Sequence, residues 1–163
     1  MVELRKLCEG DCSLIFAWIS DPELRKMTGT RGEPNKESHI NWFHQKLIDK
    51  NNVIYMMVFD GEPVGIIGTN EINTRDNNAN IYLYVGNNSY RKKGIAFQAI
   101  NQLIDILVAE YHCHKITATI RSYNEPSINL FTKCGFVCEG RQIDQIRYDG
   151  KYYDRLLFGK IVT

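Results

Sequence analysis

The chain has 163 residues, 44% of them hydrophobic and 24% charged, with a formal net charge of +1. That length and balance suit one globular domain over residues 1–163 and argue against a nucleic-acid-binding surface. MVELRKLCEGD carries no apolar run behind its charges, and nothing approaches about 18 consecutive apolar residues, so neither a signal peptide nor a membrane span is expected and a cytoplasmic setting is.

In chain order, VELRKL alternates apolar and polar residues as a half-buried strand does. DCSLIFAWI reads as a helix with Asp11 at its N-cap, ending before SDPE, and a second helix is predicted from Asn35 to Asp49, where Ile40, Phe43, Leu47 and Ile48 recur at helical spacing. VIYMMVF and PVGIIGTNEI flank an Asp-Gly pair, a strong hairpin signal. ANIYLYVG is a further strand after the polar turn NTRDNN. A helix from Gly94 to about Glu110 follows, then the strand KITATI and a short helix PSINLFTKCG closed by Gly135. Strands near FVCEG and in YYDRLLFGKIV complete the chain, with Asp149 and Gly150 turning a second hairpin. A meander followed by alternating strands and helices predicts a mixed α/β (α+β) domain around one sheet.

The cysteines, Cys8, Cys12, Cys113, Cys134 and Cys138, are odd in number and lack the C-x-x-C pairs of a structural zinc site. Small free thiols are expected, and no metal. Cys113 between two histidines is not read as a nucleophile, because adjacent residues on a strand or turn point different ways.

YRKKGIAFQAI, residues 90 to 100, carries the most chemistry. A helix N-terminus presents unpaired backbone N–H groups and the positive end of its dipole. Gly94 permits unusual dihedrals and a close approach to the chain, Ala96 keeps the first turn uncrowded, and Arg91, Lys92 and Lys93 add whole charges. The segment reads as a cradle for an anion such as a pyrophosphate, with a solvated helix cap as the alternative. No G-x-x-x-x-G-K-[ST] and no G-x-G-x-x-G occurs anywhere in the chain.

Beyond one helix and one strand comes NEPSINLFTKCGFVCEG. Together the two segments resemble the GNAT superfamily of acyl-CoA N-acyltransferases, with its loop Q/R-x-x-G-x-G/A and its later segment N-x-x-S/A-x-x-L-Y/F-x-K-x-G-F-x-x-E-G. Arg91, Gly94 and Ala96 match the first pattern; Asn124, Ser127, Leu130, Phe131, Lys133, Gly135, Phe136, Glu139 and Gly140 match the second. The resemblance implies a splayed sheet, acetyl-CoA as cosubstrate without a metal, and transfer to an amine. It implies that backbone groups near Tyr84 and Val85 pair with the pantetheine arm and that the N–H groups of Arg91, Lys92, Lys93, Gly94, Ile95 and Ala96 hold the pyrophosphate. Asn124 would bond the arm and Lys133 reach toward the nucleotide end, a solvated helix lysine being its alternative.

A neutral amine must attack the thioester, yet a lysine-like amine has a pKa of about 10.4 and an α-amine about 8, so a base is needed. Glu71, a lone acid on an apolar strand, is the candidate, acting through water; a solvent-facing strand-end glutamate is the alternative. Two positions depart from many relatives: Asn80 stands where Glu is common, and Phe131 where Tyr serves as general acid. Those departures keep a catalytically silent acyl-CoA-binding domain as the rival from another class.

FAWISDPELRKMTGT and ESHINWFHQKL resemble the GNAT branch that includes amino-sugar-nucleotide acetyltransferases, through Trp18, Asp21, Met27, Thr30, His39, Trp42 and Phe43. Trp18, His39 and Trp42 are the candidate acceptor contacts, with core packing as the alternative. The expected acceptor is a small-molecule amine, first an amino-sugar nucleotide; a polyamine or a ribosomal-protein N-terminus is the runner-up. A homodimer is compatible with this reading.

Overall fold

A computed structural model describes residues 1–163. The strands β1 (Val2–Lys6), β2 (Ile54–Phe59), β3 (Glu62–Asn73), β4 (Asn78–Val85), β5 (Lys115–Arg121), β6 (Val137–Tyr148) and β7 (Lys151–Ile161) form one seven-stranded sheet in the order β1-β2-β3-β4-β5-β7-β6. The helices are α1 (Asp11–Ile19), α2 (Pro22–Thr28), α3 (Lys36–Ile48), α4 (Ile95–Tyr111) and α5 (Glu125–Lys133). Both Asp-Gly pairs turn hairpins as read from sequence: Asp60 and Gly61 have φ of 52° and 83°, Asp149 and Gly150 of 50° and 74°. Two successive left-handed residues are what a tight turn matching strand twist requires.

Every neighbouring strand pair is antiparallel except β4 and β5. Those two run parallel only through Asn78↔Lys115, Ala79↔Ile116 and Asn80↔Thr117. Beyond Asn80, β4 pairs only with β3, and β5 from Ala118 onward only with β7. The sheet therefore splays between its two central strands.

Each face carries its own core. On one, α4 lays Ile95, Ala99, Ile100, Leu103 and Leu107 against Ile67, Ile81, Ile116 and Phe158. These helix positions recur at the three-to-four-residue spacing of an apolar stripe. On the other, Ile15, Trp18, Leu24 and Phe43 of α1 to α3 meet Met56 and Ile66. The five cysteines are free thiols, and no helix is long and apolar enough to cross a membrane.

One local reading is corrected and one helix is added. Asp11 is not an N-cap: Gly10 precedes the helix in αR conformation, and the buried Asp11 carboxylate instead accepts from both Arg5 Nη atoms and from Cys8 N, each at 2.9 Å. α1 ends at Ile19, before SDPE, as read, but SDPE also opens a helix that the sequence reading did not name. Asp21 accepts from Glu23 N at 3.1 Å and Pro22 opens α2, since proline lacks only an N–H that the first turn leaves unpaired anyway.

Candidate active site

The splay opens a cavity of about 1430 Å³ that passes through the sheet and is walled by Ile81 to Val85 of β4, Ala118 to Arg121 of β5, the start of α4, α5, and α1 to α3. At one end lies the segment read as an anion cradle. Lys92 and Gly94 both have positive φ, 62° and 75°, and α4 starts directly after them. No backbone N–H from Lys92 to Phe97 donates to any acceptor in the chain. Successive unpaired N–H groups on a curled backbone at a helix N-terminus form an anion-binding concavity. A Cβ at Gly94 would meet nothing within 4 Å, so the space over these groups is open.

The other cofactor-side residues fall around the same cavity with one exception. Tyr84, Val85, Arg91, Lys92, Gly94, Ile95, Ala96, Asn124 and Lys133 line it, and Lys93 does not, its ammonium lying 4.9 Å from the centre of the Tyr90 ring. Arg91 Nε donates to the Val85 carbonyl at 3.4 Å, which ties the loop to the end of β4. Lys133 stands over the Phe97 ring at 5.1 Å. Asn124 caps α5 by accepting from Ser127 N at 3.2 Å and donates to the Met27 carbonyl at 3.3 Å, so it bridges to α2. From Ile81 to Val85 the β5-facing edge of β4 has no strand partner, and an extended chain can pair with such an edge.

At the point of splay, a β-bulge between Thr69 and Glu71 breaks the alternation of β3. A bulge inserts one residue, so the side chains beyond it change face. Asn70, on the same face as Ile66, lines the cavity, while Glu71, paired with Asn80 just beyond the bulge, is exposed and off its lining. Asn70 Nδ2 donates to Asn80 Oδ1 at 2.8 Å, and Asn80 Nδ2 donates to Thr117 Oγ1 at 3.0 Å, a polar chain across the last paired rung of β4 and β5. Phe131 lines the cavity, 3% exposed, edge-on to Phe136 at 5.0 Å. Tyr84 is held neutral, well above the usual phenol range, by burial and secondarily by Tyr82.

On the side of α1 to α3, His39 and Trp42 line the cavity with ring centroids 5.5 Å apart. His39 Nε2 donates to the Cys12 carbonyl at 2.8 Å, which leaves Nδ1 as the acceptor nitrogen. Trp18 is placed elsewhere: 8% exposed, it sits in the core under Gly86, where any Cβ would overlap its ring. Sequence reading did not find Asn70, Tyr82, Arg31, Arg121 or Arg155, all of which line the cavity. Burial lowers the Arg121 pKa below its ordinary value.

A mixed sheet splayed beside an unpaired N–H cradle is the architecture of an acyl-CoA-dependent transferase. Residues 2–137 match the acetyltransferase (GNAT) domain family, so the chain belongs to that family. It is an acetyl-CoA-dependent N-acetyltransferase. An uncharacterised SPbeta prophage-derived N-acetyltransferase, YokL, of Bacillus subtilis is 31% identical over 147 residues, covering 90% of this chain and 82% of that protein. The ribosomal protein uS5-alanine N-acetyltransferase of Escherichia coli is 27% identical, covering 72% of this chain and 60% of the enzyme. The structure of a spermidine N-acetyltransferase from Vibrio cholerae in complex with CoA and spermine superposes with a TM-score of 0.89 at 20% identity, covering 98% of this chain and 95% of that one.

Proposed function

We propose that the protein transfers the acetyl group of acetyl-CoA to a primary amine of a small molecule inside this cavity, the pyrophosphate resting on the N–H groups of Lys92 to Phe97 and the arm lying along the free edge of β4. The observation that carries the placement is the unbroken run of unpartnered N–H groups opening on the cavity. Arg91 and Lys92 supply charge beside it, Tyr84 and Val85 offer the strand edge, and Asn124 and Lys133 stand along the opposite wall. Lys93 contributes through its backbone rather than its side chain.

The amine arrives from the side of α1 to α3, past His39 and Trp42. It must lose a proton before attack, since an ammonium has no lone pair to offer. With Asn70, Asn80 and Thr117 as the polar groups at the splay, the proton leaves through water toward Glu71, outside the lining and paired with Asn80. Phe131 offers none to the departing thiolate. A thiol with a pKa near 8.5 departs without full protonation, and Tyr84, one of three tyrosines lining the cavity, is a neutral phenol able to hydrogen-bond to it.

The names of the relatives bring forward polyamines and a ribosomal-protein α-amine as acceptors. The amino-sugar nucleotide is supported by the His39–Trp42 pair, which offers an aromatic face to a sugar or base. Calorimetric titration with acetyl-CoA and its dephospho form, followed by thiol release on adding an amine panel, tests the whole reading. Saturable binding with amine-dependent release is expected. Well-folded protein that binds no acetyl-CoA would overturn it, and tight binding without release to any amine would leave a binding domain.

A further inference from the structure

Arg121 and Arg155 face each other as Cα partners across β5 and β7, and both line the cavity. Like charges directly opposite in a sheet are unfavourable, so a third party is needed to make the arrangement comfortable. Neither guanidinium makes a side-chain hydrogen bond or an ion pair with any group of the chain, although the nearby Arg141 and Asp154 form one at 3.2 Å. Arg121 Nε is fully buried without an acceptor. A buried donor left in that state carries a desolvation cost that a partner would remove. Room for the guanidinium is made by Gly29, whose φ is +70° and where a Cβ would overlap it.

Arg31 brings a third guanidinium to the same wall. Its loop is pinned from beneath by the buried Arg25, which donates to the carbonyls of Ile19 at 3.2 Å and Arg31 at 3.1 Å, and to that of Gly32. Glu23, Glu33 and Glu125 also line the cavity, yet none is within ion-pair distance of the three arginines. The side chains of Arg121 and Arg155 alternate with Ile120 and Leu156, which pack in the α4 core, so they project to the opposite face, on the side of α1 to α3. That face is the acceptor side.

Resting on the acetyl-transfer reading above, we propose that the acceptor amine also carries an anionic group, a phosphate or a carboxylate, held by Arg121, Arg155 and Arg31. Guanidinium forks match both groups in bidentate geometry. A polyamine brings only further positive charge to three unpaired cations, and is disfavoured by the same contacts.

The test is thiol release from acetyl-CoA with matched acceptors: glucosamine 6-phosphate against glucosamine, alanine against alaninamide, and spermidine alone. In the wild type the charged member of one pair should have the higher kcat/KM by about 10- to 100-fold, the range of charge-assisted hydrogen bonds. Which pair responds tells phosphate from carboxylate. Arg155→Gln and Arg31→Gln should erode that preference while the neutral member's rate and the affinity for acetyl-CoA hold within about twofold, a split that a merely structural role would not give. Spermidine or the neutral members reacting as well as the charged ones would overturn the proposal. So would variants that lower both members of a pair equally or that weaken acetyl-CoA binding. Titrating the same amines into CoA-saturated protein separates the two levels: charged amines that bind more tightly without any thiol release would sink the transferase reading and keep the anion site, whereas indifference to charge would sink the anion site alone.

Discussion

Replacing Gly94 with valine puts the cofactor cradle to a quantitative test. At φ +75° a residue with a Cβ bears about 1–2 kcal/mol of backbone strain. Nothing lies within 4 Å of the new Cβ, so no protein group has to move and the fold should survive. For a chain of this size each kcal/mol shifts the melting temperature by about 2–4 °C, which gives an expected loss of about 2–8 °C. The same side chain fills the open space above the N–H groups of Lys92 to Phe97. Losing even one charge-assisted bond to a phosphate, at about 1.5–3 kcal/mol, weakens acetyl-CoA binding by about 10- to 100-fold. Gly94→Asn separates the two effects, because asparagine tolerates the left-handed region: its melting temperature should recover while its affinity stays poor. Calorimetry and thermal unfolding on both variants give the two numbers. A valine variant that melts lower yet keeps its Kd within about twofold would refute the cradle.

Three further outcomes are expected. Gly29→Ala combines a left-handed φ with an overlap against the Arg121 guanidinium, so chemical denaturation should show a loss of about 2–3 kcal/mol, far more than an ordinary surface substitution gives. Glu71→Gln should lower kcat and leave acetyl-CoA affinity untouched; an unchanged rate across pH removes Glu71 from the proton path. Burial pushes the Asp11 carboxyl up, but hydrogen bonds from Arg5 and Cys8 N more than reverse this and hold it below the ordinary range. Its stabilisation is then full above the unfolded pKa of about 3.9 and lost as pH falls through the folded value. Asp11→Asn should therefore be less stable than wild type near pH 6, with the gap narrowing as the pH drops below about 4; a gap independent of pH would contradict the pairing.

Much of the fold was legible because its signals are local. The two Asp-Gly turns, the apolar stripe of α4 and the run of cations before Gly94 each announce themselves within a few residues. What escaped the sequence lies where one signal has two meanings or where no local signal exists. α1 ends before SDPE as read, but Asp21-Pro22 is also the N-cap and first residue of α2, which only the packing of Leu24 into the core reveals. Glu71 was chosen as the lone acid on an apolar strand, and the bulge that sets its face has no fixed spelling, while the neighbouring Asn70 that lines the cavity carries no charge to mark it. Trp18 offered an aromatic face that the bare backbone of Gly86 absorbs. Arg121 and Arg155 lie far apart in the chain, and nothing short of the strand register brings them opposite each other.

Asn124 sits where the two halves of the cavity meet. After its bonds to Ser127 N and the Met27 carbonyl, its amide still has one N–H and one lone pair free. Tyr123 reinforces the joint by donating to the Lys26 carbonyl at 2.7 Å, so the end of α2 hangs from the corner between β5 and α5. A donor molecule that engages Asn124 stiffens the wall met by the acceptor, and the two occupancies become thermodynamically linked. Reciprocity then fixes a relation between separate measurements: whatever factor acetyl-CoA imposes on acceptor affinity, the acceptor imposes on acetyl-CoA. In Asn124→Ala both factors should fall together toward one.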